Sequence, residues 1–472
     1  MNKPKYQDIE EHILELIATR TIGPGDRLPS LRELKRQTRS SIATVTRAYE
    51  ELERKQIIES RPRSGYFVLD HVQELPPPPA PPRPDLASRP ATRNQLIREV
   101  LKGVGNKDLI PLSIICPDER LLPTAALHRC LGRVCRDHPH SAVAYEQVEG
   151  NAGLRKQICL HAMEAGIAAH PDEILVTTGA MEALSIAIRS LTTPGDNVLI
   201  QSPTYFCFLQ LLENCGLRTV EIPSHPEHGV NPADLRRAVD RFDITACILA
   251  PNYNNPDGGQ TPEAAQREIV DILARRRVPL IEDDVAGDLF FGSRRPHCYK
   301  AADAEGLVLS CGSFSKTLSP GYRVGWLMPG RFLAKAYEIK ATSNISSATP
   351  TQMAVADYLR SGHFDRHLRR LRQALWRQMQ SVQWAVGRYF PAGTRMTHPR
   401  GGSVLWVELP GDIDAVDFFA RAVANGISIA PGPIFSTQDN FSHFIRLSCG
   451  GVWDATIEHG LQRLGDLARA AQ

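Results

Sequence analysis

The sequence predicts two folded parts of different class. At the N-terminus stands a small three-helix domain closed by a β-hairpin. After it comes a large α/β domain on a mostly parallel sheet, with a small α+β domain at its C-terminal end. Three observations predict this. The first seventy residues carry three short helical periodicities and then a hairpin pattern. Residues 76–90 read PPPPAPPRPDLASRP, eight prolines in fifteen positions, which neither a helix interior nor a central strand accommodates. From about residue 94, short apolar runs alternate with helical stretches, as in a parallel sheet covered on both faces. The expected division is therefore 1–70, a linker over 71–93, and 94–472.

A length of 472 residues exceeds one ordinary domain. The formal net charge of +3 is too small to identify a nucleic-acid partner from the total. No apolar stretch follows the basic start, and no apolar run is long enough to cross a membrane. The expectation is a soluble cytoplasmic protein without a membrane partner. The 10 cysteines are scattered, with no C-x-x-C pair and no metal-ligand spacing with histidine. Reduced thiols and no metal site are expected.

In the N-terminal part, YQDIEEHILELIATR (6–20) places Ile9, Ile13, Leu16 and Ile17 at helical spacing. Gly23-Pro24-Gly25 ends that helix. Ser30, with Glu33 three residues on, forms a capping box for a second helix. A third runs from about Ser41 to Glu53, with Val45, Tyr49 and Leu52 on one face. Ile57–Ser60, a turn at 61–65 and the strand Tyr66–Leu69 complete a winged helix-turn-helix. Between Arg27 and Arg63 stand ten cations against five acids. Such a patch attracts phosphates, and Ser or Thr at the start of a recognition helix reaches backbone or base edges. The competing reading is a protein-interaction domain with a solvated basic face.

The run RLPSLRELKRQTRSSIATVTRAYEELERKQIIESRPRSGYFV resembles the N-terminal domain of the GntR family of bacterial repressors, over nearly all of residues 6–69. The resemblance implies double-stranded DNA as partner, contacted by Arg32, Ser41, Thr44, Arg47, Arg63 and Gly65. One position departs: Ile42 stands where the family usually has an arginine, so guanine readout by that residue is lost. The proline run prefers extended polyproline II and is expected to hold two bodies apart over about 25–30 Å, at ~3.1 Å per residue.

In the large part, strands at 174–177, 197–200, 246–249, 279–283 and 307–310 each lead into a helix or loop. Chemistry in such sheets collects at the strands' carboxyl ends. The most unusual stretch is SFSKTLSPGYRVGW (313–326). Lys316 lies among Ser313, Ser315, Thr317 and Ser319, with Arg323 seven residues on. That grouping suits a phosphorylated aldehyde cofactor: the amine forms a Schiff base, and hydroxyls and guanidinium hold the phosphate. Gly179-Ala180-Met181 opens a helix directly after a strand, where free N–H groups face an anion. Tyr205 could lay its ring on a flat heterocycle, and Asn255, in PNYNNPDGG, could donate to a phenolate oxygen. Asp283, ending the apolar run VPLIEDD, needs a partner such as a pyridinium nitrogen, although spacing alone leaves Glu282 and Asp284 open. Arg446, in FIRLSCGG, could grip a carboxylate bidentately. Alone, each has a plain structural alternative: a turn, a core aromatic, an ion pair.

Together, in this order, these motifs resemble fold-type I enzymes of the aminotransferase class I/II group, over residues ~95–472. The resemblance implies pyridoxal 5′-phosphate bound covalently at Lys316. Gly179, Ala180, Ser313, Ser315 and Arg323 would hold phosphate, Met181 would join them in binding the cofactor, Tyr205 would stack on the ring, Asn255 would meet its phenolic oxygen and Asp283 its nitrogen. Arg446 would take an amino-acid carboxylate. Tyr145, in AYEQVEGNAGLR, would reach the neighbouring subunit's phosphate, which implies a homodimer. Ala286 stands where these enzymes usually carry a tyrosine that bonds the phenolic oxygen; Tyr253 or Tyr322 could compensate. The whole arrangement resembles the MocR subfamily of GntR regulators. It implies a transcription regulator that senses an amino acid, an amine or the cofactor itself, and it leaves room for residual transaminase activity. The alternatives are a metabolic aminotransferase with an appended DNA-binding domain, and a DNA-binding protein whose second domain is only a dimerisation scaffold.

Overall fold

The computed structural model describes residues 5–472 apart from 19–20, 24, 39, 55–56, 62–63, 70–74, 92–93, 103–105, 107, 114 and 412. The chain divides into two compact units, Met1–Leu75 and Pro76–Gln472.

The first unit packs α1 (Lys5–Ala18), α2 (Leu31–Thr38) and α3 (Ile42–Arg54) with a hairpin of β1 (Ile58–Arg61) and β2 (Gly65–Val68). The apolar positions that set the helical period bury together: Ile9, Ile13, Leu34, Val45, Tyr49 and Leu52. The capping box is formed. Ser30 N donates to Glu33 Oε2 at 2.7 Å, and Glu33 N to Ser30 Oγ at 3.3 Å. Tyr49 Oη donates to Pro29 O at 2.6 Å, tying the entry of α2 to α3.

The second unit is built on nine strands among the described residues. Their order is 88–90, 218–225, 197–202, 244–249, 280–283, 308–313, 325–328 and 175–177, with 229–230 paired to the second. The five central strands are parallel; 325–328 runs antiparallel between 308–313 and 175–177. Alternate side chains enter two separate cores. Ile200, Ile248, Ile281 and Leu309 face one, and Leu199, Leu249, Leu280 and Val308 face the other. Burial on both faces explains why these strands read as continuous apolar runs. A four-stranded sheet (395–396, 404–408, 444–448, 430–431) forms the small C-terminal part and carries Arg446. Among the described residues no helix is long and apolar enough to cross a membrane.

The proline run differs from the semi-rigid spacer expected over 71–93. It lies along the second unit, and the unit boundary falls at Leu75/Pro76. Met396 N donates to Pro77 O at 3.1 Å, and His398 Nε2 lies 3.0 Å from Pro76 O. Asp85 and Gln438 exchange two hydrogen bonds, and Ser88–Pro90 adds an antiparallel edge strand beside Arg218–Val220. A proline segment cannot donate from its prolines but keeps its carbonyls, and here they are used as acceptors.

Candidate functional site

Five strands of the large sheet deliver residues to one cavity of about 260 Å³. Its lining includes Lys316, Asp283, Tyr205, Asn255, Ala180, Met181, Ser313, Ser315 and Arg323. Residues more than a hundred positions apart converge because each follows the carboxyl end of a neighbouring strand.

One end of the cavity is built for an anion. Gly179 has φ +80°, and a Cβ there would collide with Arg323 Nη2. Only glycine lets the turn and the guanidinium approach so closely. Arg323 donates to Thr178 O and Ser315 Oγ at 3.2 and 3.3 Å. Ser313 Oγ and Ser315 Oγ lie 2.7 Å apart. The free N–H groups of helix Ala180–Leu191 open on the same place.

At the centre, Lys316 Nζ donates to Ile115 O at 2.6 Å and lies 3.4 Å from Cys116 Sγ. No motif singled out Cys116, and no local pattern signals it. Asp283 is held by Val285 N at 3.3 Å and has no ion-pair partner among the described residues. Burial pushes its carboxyl up to about 6, partly offset by that N–H and by Lys316. The other two acids of the run are engaged elsewhere. Glu282 accepts from Ser310 Oγ and Lys300 N, at 2.7 and 3.0 Å. Asp284 pairs with Arg295 at 2.7 Å and accepts from Asn252 Nδ2 at 2.9 Å. Of the three, Asp283 alone lines the cavity.

Arg446 is fully buried. Its guanidinium donates to Asn255 Oδ1 (2.9 Å) and Ser113 O (2.5 Å), while Nε has no acceptor. No carboxylate pairs with it among the described residues, and burial lowers it to about 10 against smaller opposing effects of Tyr205 and Cys207. Ala286 lines the cavity, as does Tyr253, whereas Tyr322 packs against a different apolar cluster. Tyr145 is 83% exposed and does not reach the cavity of its own chain.

Behind Asp283 lies a charge network that the sequence did not disclose. Arg295 joins Asp284 to Asp288 at 2.7 Å each, and Asp288 bonds His161 at 2.8 Å. Burial works against charge on His161, but the Asp288 carboxylate outweighs it and raises the imidazole's pKa.

In the first unit, Ser41 caps α3 by accepting from Thr44 N at 3.1 Å, and its Oγ lies 2.8 Å from Thr44 Oγ1. Arg32 and Arg47 are both exposed, and Arg47 lies 4.5 Å from the centre of the Tyr6 ring. Arg32, Lys35, Arg36, Ser40 and Ile42 border one shallow cleft between α2 and the start of α3. Gly65, at φ +102°, starts β2 beside Arg27. Arg63 and Arg39 lie outside the described residues.

Residues 128–464 match the family model "Aminotransferase class I and II", and residues 5–68 match "Bacterial regulatory proteins, gntR family". The chain belongs to the GntR-type regulators that carry an aminotransferase domain. Two similar proteins of Escherichia coli span the regulator from end to end. They are the uncharacterized HTH-type transcriptional regulators YdcR (36% identical) and YjiR (34%), each matched over 98% of both chains. The solved structure of LysN, an α-aminoadipate aminotransferase from Thermus thermophilus complexed with N-(5′-phosphopyridoxyl)-L-leucine, superposes with a TM-score of 0.73 at 29% identity. The match covers 80% of the regulator and 95% of LysN. The regulator is thus an HTH-type transcriptional regulator with an aminotransferase-like domain, and its GntR part implies DNA binding.

Proposed function

We propose that this regulator binds pyridoxal 5′-phosphate at Lys316 and responds there to an amino acid or amine, which alters its hold on double-stranded DNA. The observation that carries the reading is a pair of charges without an ion-pair partner: the half-buried Asp283, which lines the cavity with Lys316, and the fully buried Arg446, which lies behind Asn255 of that lining. Asp283 is an acid with no cation, and Arg446 is a cation with no acid, among the described residues. Unpaired buried charges are costly unless a ligand completes them. A pyridine ring nitrogen and an amino-acid carboxylate are complements of the right charge for the two.

When bound, pyridoxal phosphate supplies an aldehyde that condenses reversibly with amines and a ring that withdraws electrons. Lys316, steered by Ile115 O, offers the tethering amine. Asp283 would hold a proton on the ring nitrogen. Tyr205 would cover the ring, and Asn255, whose Oδ1 already accepts from Arg446, would have its Nδ2 left for the ring oxygen. Ala180, Met181, Ser313, Ser315 and Arg323 would take the phosphate. A homodimer belongs to the same reading: Val143, Tyr145 and Ile345 are 87%, 83% and 51% exposed, and Tyr145 would complete the site of a second copy.

The second reading, a metabolic aminotransferase, is favoured by Lys316 and Asp283 lining one pocket, with Arg446 bonded to Asn255 of its wall. It is disfavoured by Ala286, which offers no hydroxyl. Fluorescence anisotropy on DNA upstream of the protein's own gene separates the two. Titrations would include added pyridoxal phosphate, a panel of amino acids and amines, and Lys316→Ala. The expected result is specific binding that one ligand changes in the wild type and leaves unchanged in the variant. Absent specific binding, with amino transfer turning over in the same sample, would favour the enzyme instead.

A further inference from the structure

The turn that would present N–H groups to a phosphate is braced by an ion pair, its lysine fully buried and its glutamate partly so, outside the motifs that define the site. Glu182, in the first turn of helix Ala180–Leu191, accepts from Thr178 N with Oε2 at 2.5 Å. Its other oxygen accepts from Lys340 Nζ at 3.1 Å. The Lys340 side chain is 0% exposed. Its ammonium also donates to Asn344 Oδ1 at 2.9 Å and Ser347 Oγ at 3.0 Å, so all three N–H groups are used. Arg323 grips the same turn from the other side through Thr178 O. Burial presses the lysine's pKa down and Glu182 partly restores it.

An acid in the first turn ordinarily stabilises a helix through its dipole. Here the same helix end is where a phosphate dianion would sit. An uncompensated Glu182 would repel that dianion through a poorly polarisable interior. A buried lysine beside it removes the conflict while leaving the carboxylate free to fix the turn.

We propose that Lys340 and Glu182 form a charge-neutral brace that sets the affinity for the cofactor's phosphate. Glu182 shapes the Thr178–Ala180 turn, and Lys340 keeps the charge of Glu182 from opposing the dianion. Both are positioning residues, and the inference rests on the pyridoxal phosphate reading above.

The test uses the full-length protein, titrated by tryptophan fluorescence with pyridoxal phosphate and with pyridoxal, which lacks the phosphate. Lys340→Met is expected to weaken pyridoxal phosphate binding about tenfold or more, since a partly buried like charge now faces the dianion, and to leave pyridoxal binding nearly unchanged. The double variant Glu182→Gln/Lys340→Met, which holds no orphan charge, regains most of the loss. Glu182→Gln alone leaves the ammonium unopposed and raises the affinity ratio of pyridoxal phosphate to pyridoxal. This last variant decides the matter even where Lys340→Met fails to fold. Equal losses for both ligands, a double variant no better than the single, or a falling ratio in Glu182→Gln would overturn the brace as an electrostatic device. A wild-type protein that binds pyridoxal but shows no preference for the phosphate ester also overturns it. Binding of neither ligand removes the cofactor reading itself.

Discussion

Asp283 is a carboxylate in a place that disfavours its charge. Its folded-state value, about 6, stands above the ordinary 3.8. The resulting penalty is absent at low pH, where folded and unfolded chains are both protonated, and grows as pH rises from the unfolded value through 6. Replacing it by asparagine should therefore stabilise the cofactor-free protein. The expected gain is about 3 kcal/mol well above pH 6, and roughly half of that at pH 5. The same change removes the group that would hold a proton on the ring nitrogen, so pyridoxal phosphate affinity should drop as stability rises. Denaturant unfolding of the cofactor-free protein at pH 5 and 7.5, paired with cofactor titration, checks both. Loss of stability on substitution would mean that Asp283 has a cationic partner inside the folded unit. Arg446 poses the mirror problem, and there the neutral acceptors Asn255 Oδ1 and Ser113 O share the guanidinium.

Among the elements, the proline segment departs furthest from its local chemistry. Polyproline reads as a stiff spacer because its sequence carries no information about distant acceptors and donors. Its clasp, Asp85 with Gln438, joins residues 353 positions apart. Gln438→Ala removes both bonds, and with a net worth of about 1 kcal/mol each the segment around Asp85 should open locally. Faster amide exchange at Asp85–Ala87, with the thermal midpoint of the large unit little changed, is the expected result; unchanged exchange would mean that the strand Ser88–Pro90 alone anchors the run. The contrast with the sheet is instructive. The strands Leu175–Thr177, Asn197–Ser202, Ile244–Leu249, Leu280–Asp283 and Val308–Ser313 were legible because burial on both faces writes itself as apolar runs, whereas Arg218–His225, interrupted by Glu221 and Pro223, was not. Lys316, Arg323 and Gly179 stood out because unusual residue types lie close in sequence or at a strand end, and the structure brings Lys316 and Arg323 to one cavity with Gly179 against Arg323. The Asp284–Arg295–Asp288–His161 network and the Lys340–Glu182 pair left no such trace. Their partners lie on different elements, and charged residues in a helix read locally as solvated. The choice between Tyr253 and Tyr322 was equally closed to the sequence, since only packing determines which ring borders the cavity.

At the scale of the whole molecule, regulation requires communication between a ligand pocket in one unit and a DNA surface in the other. A ligand can change DNA affinity only by binding two arrangements of the protein unequally. The coupling free energy is then shared: whatever factor the effector imposes on DNA binding, DNA imposes on effector binding. If an amino acid weakens operator binding about tenfold, saturating operator should weaken amino-acid binding by the same tenfold, equivalent to about 1.4 kcal/mol. Titrating the cofactor-loaded protein with that amino acid, with and without operator DNA, at one fixed ionic strength, measures it. The salt must be held constant because neutralising DNA phosphates makes any protein's DNA affinity salt-dependent. Equal factors in the two directions establish that one two-state equilibrium links Arg446 to the recognition helix. An effect on DNA binding with no reciprocal effect on the amino acid would mean that covalent turnover at Lys316, and not equilibrium binding, drives the response. The protein would then act on DNA as a consequence of being an enzyme.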